Sequence, residues 1–408
     1  MASSVSDDCN GKRLKNSIDC HGVNKSIMFA LPEDIKFLIV NKLDVVDLHC
    51  FSSVCKSWQS IAMAAKKIQP RPPQLPWLMF SSFNDHRLVF FRLTDGKVLR
   101  LEIPETYFGS QCVVVGSNWG WLIMVDKMRR TNFLLNPFTR IVIQLPPLDT
   151  LPIHYDNDVG IPSVLFRIVS KDNFINKAML LSPPAAAATT TNNSTLNDCV
   201  VIAIYCNNEL AFCRPGDDAW TSLGIYFKDI ILCHGKLYAI TEQFDLKLVK
   251  LGGFNPKIKS CNIAPPVAKE DLSPLQKSFY LVECLGELLM VIKYYVRDYN
   301  LRYHYTSLTF KIFKLDLKGR RWIKVEDLGD RTLFIGTSTS LSVSARDHPG
   351  LKGNCIYFTD HEDFGNRGPK VYETLASLFH LEDNSTQHLS SYGLGGSPST
   401  PIWITPIF

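Results

Sequence analysis

The segment Gln69-Pro70-Arg71-Pro72-Pro73-Gln74-Leu75-Pro76 constrains this chain more than any other feature. Proline fixes φ and lacks an N–H, so such a stretch excludes helix and favours a stiff, extended spacer. On its N-terminal side the apolar residues recur at helical intervals, and on its C-terminal side they alternate as in strands. The chain is therefore expected to be mainly β with a small α domain, divided at a linker over residues 68–76.

Residues 1–27 are polar, mixed in charge and aperiodic, and are read as a disordered arm without a secretory signal. The short basic cluster Lys12-Arg13-Leu14-Lys15 is read as part of that solvated tail. From Met28 the character changes. Pro32, Glu33 and Asp34 suit a helix N-terminus, and Ile35, Ile39 and Leu43 repeat every four residues as one apolar stripe. Phe37 and Val40 give the same helix a second greasy face. Asp44 suits the cap of a second helix carrying Leu48 and Phe51, and Lys56 to Lys67, with Trp58, Ile61 and Ala62, reads as a third. Three short helices over 28–67 bury little surface by themselves, so part of their apolar surface is expected either to meet a partner or to pack on the same chain.

Beyond the spacer, Phe90 to Leu99 reads as two strands about an Asp95-Gly96 turn. A glycine followed by an apolar strand then recurs at Gly120, Gly235, Gly286 and Gly353. The intervals come to roughly two, one and one times the ~50 residues of a kelch-sized propeller blade. Phe310–Asp316 leading to Arg321–Val325, and Leu210–Cys213 leading to Trp220, fit the outer halves of four-stranded blades. A β-propeller of about six to eight blades over 77–408 is favoured over a sandwich. The low-complexity stretch 182–197 is read as a loop insertion between blades. Trp77 to Phe80 and Ile402 to Ile404 are expected to meet in one blade and close the ring, with Trp403 buried at the seam.

A formal charge of +5 over 408 residues is too weak to argue for nucleic acid, and no apolar run reaches the ~20 residues of a membrane span. The twelve cysteines stand singly, without CxxC or paired histidines, so reduced and mostly buried thiols are expected, with no metal and no cofactor. None of GxSxG, HExxH, GxxxxGK[ST] or GxGxxG occurs, so no catalytic residue is assigned. Gly336 to Ser340 is hydroxyl-rich but reads as a turn into a strand, and Asp360-His361-Glu362-Asp363 as a solvated loop.

Leu31-Pro32-x-Asp34, Ile39, Leu43, Asp47-Leu48, Val54-Cys55-Lys56-Ser57-Trp58 and Ile61-Ala62 closely resemble the F-box. That resemblance implies a three-helix module docking on the Skp adaptor of a cullin-based ubiquitin ligase. Carried over by position, Leu31, Pro32, Ile35, Ile39, Leu43, Leu48, Val54, Cys55 and Trp58 match its hydrophobic skeleton and stand as the adaptor-binding set, some of them serving the internal core instead. Pro73 to Leu78, Leu135-Asn136-Pro137-Phe138-Thr139-Arg140, Gly350 to Asp360 and Pro401 to Pro406 resemble the plant F-box-associated propeller family, whose members include kinase-degrading F-box proteins. The implied function is a non-catalytic substrate receptor, in the cytoplasm or nucleus, recruiting a target protein for ubiquitination. A propeller hydrolase with a catalytic central channel and a non-degradative F-box scaffold remain as alternatives. Tyr294, Tyr295, Tyr299, Tyr303 and Tyr305, with Arg297, Arg302 and His304, are weighed as an exposed recognition cluster against the outward positions of an ordinary hairpin.

Overall fold

A computed structural model describes residues 31–43, 45–68, 75–82, 87–103, 112–152, 175–184, 199–206, 208–251, 257–263, 276–297, 305–359, 374–390 and 401–405. The chain divides into two units, Met1–Arg71 and Pro72–Phe408.

The first unit holds three helices, α1 (Glu33–Lys42), α2 (Val45–Val54) and α3 (Lys56–Ile68). Pro32 precedes α1 at φ −54° and ψ 150°, and its carbonyl accepts the Lys36 N–H at 3.2 Å. Glu33 and Asp34 fill the first turn and Lys42 the last, each complementing the helix dipole. The expected Asp44 cap lies outside the described residues.

The second unit is a six-bladed propeller. Blade 1 contains β1 (Trp77–Ser82), β2 (Arg87–Arg92) and β3 (Val98–Glu102). Blade 2 runs β4 (Cys112–Asn118), β5 (Trp121–Asp126), β6 (Thr131–Leu135) and β7 (Val142–Gln144). Blade 3 runs β8 (Ile175–Leu180), β9 (Val201–Tyr205), β10 (Glu209–Cys213) and β11 (Thr221–Tyr226). Blade 4 comprises β12 (Asp229–Cys233), β13 (Lys236–Ile240), β14 (Leu246–Lys250) and β15 (Lys257–Ser260), and blade 5 comprises β16 (Gln276–Cys284), β17 (Glu287–Arg297), β18 (Tyr305–Asp316) and β19 (Arg321–Val325). Blade 6 has β20 (Arg331–Ile335), β21 (Leu341–Ser344), β22 (Cys355–Phe358), β23 (Thr374–His380) and β24 (Thr386–Ser390), and the last strand, β25 (Ile402–Ile404), returns to blade 1.

The recurrent glycines have a physical role. Gly120, Gly235 and Gly286 have φ of 76°, 68° and 78°, and each ends a two-residue turn joining the first and second strands of its blade. Left-handed backbone at both turn positions matches the twist of a hairpin, and glycine takes it without strain. The double interval between Gly120 and Gly235 spans blade 3, where β8 and β9 are joined by the Ala/Thr/Asn stretch instead. That stretch therefore lies within a blade and not between two, because β8 and β9 pair antiparallel from Leu180↔Val201 and the Leu181 N–H bonds the Val200 carbonyl at 2.9 Å. Gly353 differs from the other three: Asn354 takes the positive φ, and the strand that follows, β22, pairs parallel with β20.

Ring closure occurs at the expected seam. β25 pairs antiparallel with β1 in the register Trp77↔Ile404, Leu78↔Trp403 and Met79↔Ile402. Trp403 is fully buried, packs edge-on to Phe334 at 5.1 Å and donates its indole N–H to the Ile335 carbonyl of blade 6 at 2.9 Å. The hydroxyl-rich segment 336–340 links β20 to β21 and crosses the seam. The Ser338 hydroxyl reaches the Trp403 carbonyl of blade 1 and the Thr339 hydroxyl donates to the Ser117 carbonyl of blade 2.

The apolar core sits between blades. One cluster joins Ile123, Leu134 and Val125 of blade 2 to Ala178, Val201 and Tyr205 of blade 3, and others join blades 3 to 4, 4 to 5, 5 to 6 and 6 to 1. β5 and β9 are buried at every residue because both faces of a central blade strand meet neighbouring blades. None of the described cysteines is in a disulfide, and six of them, including Cys112, Cys199 and Cys213, are buried.

Candidate functional site

The helical unit separates the nine F-box-like positions by burial. Leu48 and Trp58 lie in its core with Val40, Phe51, Ile61, Ala62 and Ala65, and Phe51 stacks on Trp58 at 4.2 Å between ring centres. Ile39, Leu43 and Cys55 are half-buried at the edge of this core, and Leu31 is also half-buried. Pro32 is exposed, as are Ile35 at 41% and Val54 at 54%. The structure adds Leu38 on α1, 59% exposed, and Met63 on α3, 57% exposed. The four-residue stripe read from the sequence thus splits: Ile39 and Leu43 lean on the core, while Ile35 and Leu38, three apart on one helix face, stay outside. Leu38 was legible only as an extra leucine, since α1 carries apolar residues on both sides.

In the propeller, one buried ion pair links three blades. The Lys177 ammonium on β8 contacts the Asp229 carboxylate on β12, and both side chains are buried. Asp229 Oδ1 accepts the Ile230 N–H at 2.8 Å, and Oδ2 accepts the Leu281 N–H on β16 at 2.6 Å. Burial pushes the Asp229 carboxyl above the ordinary aspartate range, and the Lys177 charge and these N–H donors work against that rise. Glu283, also on β16, accepts the Gly286 N–H at 2.6 Å and fixes the turn. These carboxylates hold blades and turns in place. Among the described residues no group of three or more His, Cys, Asp or Glu is placed to hold a metal ion. Residues 360–363 lie outside the described residues.

The tyrosine cluster is corrected in part. Tyr294 is buried, because β17 and β18 form a long hairpin whose inner positions pack against the neighbouring blades; the Lys277 and Lys311 ammoniums lie 5.5 and 5.1 Å from its ring centre. Tyr295 is half-buried, and Tyr299, Arg302, Tyr303 and His304 lie outside the described residues.

Residues 90–373 match the KIB1-4 beta-propeller family model. The chain belongs to this family. Residues 28–67 match the F-box domain, so this is an F-box protein of the plant type with a propeller domain. The chain is 23% identical to the Arabidopsis thaliana F-box/kelch-repeat protein At1g57790, covering 96% of this chain and 97% of that one. It is 26% identical to the Arabidopsis thaliana F-box protein SKIP23, covering 92% and 95% of the two chains. Among solved structures, the β-propeller domain of Myceliophteria thermophila Cps50 (Swd1) aligns at 10% identity with a TM-score of 0.33, over 76% of this chain and 79% of that one. Among the described residues no helix is long and apolar enough to cross a membrane.

Proposed function

We propose that this protein is the non-catalytic substrate receptor of a Skp–cullin–F-box ubiquitin ligase, working in the cytoplasm or nucleus. Residues 28–67 bind a Skp-type adaptor, the linker at 68–76 separates them from the propeller, and the propeller recruits a target protein. The observation that carries the reading is the exposure of Ile35, Leu38 and Val54 on a helical unit whose core is already filled by Leu48, Phe51 and Trp58. Exposed aliphatic side chains on so small a unit gain free energy only when a partner covers them. The adaptor-facing set is therefore Pro32, Ile35, Leu38 and Val54, flanked by Leu31, Ile39, Leu43 and Cys55, with Leu48 and Trp58 supporting it from the core.

The physical contribution of such a receptor is effective concentration. A target held on the propeller presents its lysines to a ubiquitin-charged conjugating enzyme far more often than a free target does. No bond is made or broken by this chain. Co-purification tests the reading: the intact protein should bring down the adaptor as a control F-box protein does. Failure to do so while the control succeeds would discard it. Accumulation of a bound partner on proteasome inhibition separates the degradative receptor from the non-degradative scaffold.

A further inference from the structure

Side chains stand at positive φ in turns at both ends of the propeller; Arg130, Cys206, Asn208 and Phe244 do so in the turns after second strands. In an up-and-down blade the turns after the first and third strands lie at one end of the ring and the turn after the second strand at the other. On the first end, Trp119 (φ 58°), His234 (φ 49°) and Leu285 (φ 53°) occupy the first position of the turns in blades 2, 4 and 5. Arg140 (φ 59°) and Arg320 (φ 51°) hold positive φ in the outer turns of blades 2 and 5. Left-handed backbone is unfavourable for bulky side chains, and the hairpin twist demands it at the first position of these turns whatever residue stands there.

These strained positions are also unusually exposed. Leu285 is 73% and Trp119 43% exposed, and Leu317 in the outer turn of blade 5 is exposed as well. In a six-bladed ring, blades 2 and 5 lie opposite one another, so the turns that carry Trp119 and Leu285 stand on opposite sides of the ring. The turns of blades 4 and 5 are held in place: His234 Nε2 lies 2.6 Å from the Gly286 carbonyl, and a Cβ on Gly286 would come within 2.8 Å of the same nitrogen. Around them the acids are already engaged, Glu283 accepting the Gly286 N–H. Asp316 pairs with Arg321 and accepts the Gly319 N–H, and Glu287 pairs with Lys314. Lys236, Lys318 and Arg320 have no ion-pair partner among the described residues, which leaves the arc of blades 4 and 5 cationic. The acids Asp217 and Asp218 stand on blade 3, outside that arc.

We propose that this rim takes up an extended, acidic segment of the target protein. Its aliphatic or aromatic side chains seat on Leu285 and Trp119, and its carboxylates meet Lys236, Lys318 and Arg320. The charge is complementary, and tryptophan and arginine are residue types enriched among the side chains that dominate interface energies. A polypeptide is favoured over nucleic acid because the anchors are aliphatic as well as aromatic and the whole-chain charge of +5 is small. The inference rests on the receptor reading, since it names the chemistry that the receptor selects.

The test pans a phage library of random twelve-residue peptides on the purified full chain, and measures the affinity of selected peptides for wild type and variants. Selected peptides should carry more Asp and Glu than Lys and Arg, around aliphatic or aromatic residues. Trp119→Gly with Leu285→Gly, and separately Lys318→Glu with Arg320→Glu, should each weaken them at least tenfold. The glycine variant should melt no lower than wild type, because glycine relieves the left-handed strain; a merely structural role would lower its melting temperature. A single-stranded oligonucleotide should not displace the peptides. Absence of enrichment, neutral or basic peptides, displacement by the oligonucleotide, or full affinity in both variants would overturn the proposal. Adaptor capture on the same preparations keeps the two readings apart: intact capture with no peptide selection sinks the rim alone, and failed capture by wild type sinks the receptor.

Discussion

Trp58 and Ile35 have different roles in the same short helical unit. Trp58 stacks on Phe51 inside the core, so Trp58→Ala should cost ~3–5 kcal/mol and lose adaptor binding by unfolding the unit. Ile35→Asp with Val54→Asp should lose adaptor binding with helical circular dichroism unchanged, because both side chains already face water. Leu31→Ala with Pro32→Ala tests the start of α1, with an expected loss of about 30-fold, or ~2 kcal/mol. In the propeller, Asp229→Asn leaves the Lys177 ammonium buried against a neutral amide and should destabilise by about 3–5 kcal/mol in denaturant unfolding. Lys177→Met with Asp229→Asn should recover part of that loss, and a double variant as unstable as the single one would show that the pair is not the stabilising contact. Burial lifts the Cys112 thiol to about 12, so iodoacetamide should leave it unmodified at pH 8 while Cys50, exposed on α2, reacts. Mass mapping of the native protein reads both. The F-box-like positions were legible as residue types at fixed spacing. Their division between core and surface was not, because α1 bears apolar residues on two faces and only packing shows which face α2 and α3 cover.

At the scale of elements, β25 completes blade 1 by pairing with β1, so its loss leaves the inner edge of β1 unpaired and the ring open at that blade. Deleting residues 399–408 should unfold or aggregate the propeller, whereas deleting residues 1–27 should leave its melting unchanged. A soluble, cooperative protein with an unshifted midpoint after the C-terminal deletion would contradict closure by β25. The ends of β8 and β9 already meet through the Leu181–Val200 hydrogen bond, so replacing residues 183–198 by an Asn-Gly turn should keep the fold. Blades 2, 4 and 5 were readable because their tight first turns demand glycine at positive φ. Blade 1 gave no such signal, since its innermost strand comes from the C-terminus, and blade 3 hides its turn behind the insertion. Blade 6 adds a parallel pair, β20 with β22, that a count of glycine-led strands cannot anticipate.

At the scale of the molecule, a propeller whose core lies between blades offers a rigid ring, and turns projecting from it can vary without loss of the scaffold. The buried Lys177–Asp229 pair and the seam hydroxyls both join one blade to another. On the receptor reading proposed above, the helical unit engages the adaptor through residues its own core leaves uncovered. Calorimetric titration of a purified Skp-type adaptor into the purified full chain tests this most directly, run beside the Ile35→Asp, Val54→Asp variant. The account expects one adaptor per chain, and at least a 30-fold weaker affinity for a variant whose propeller melts as wild type. No heat of binding with the wild-type chain, or equal affinity for the variant, would contradict it.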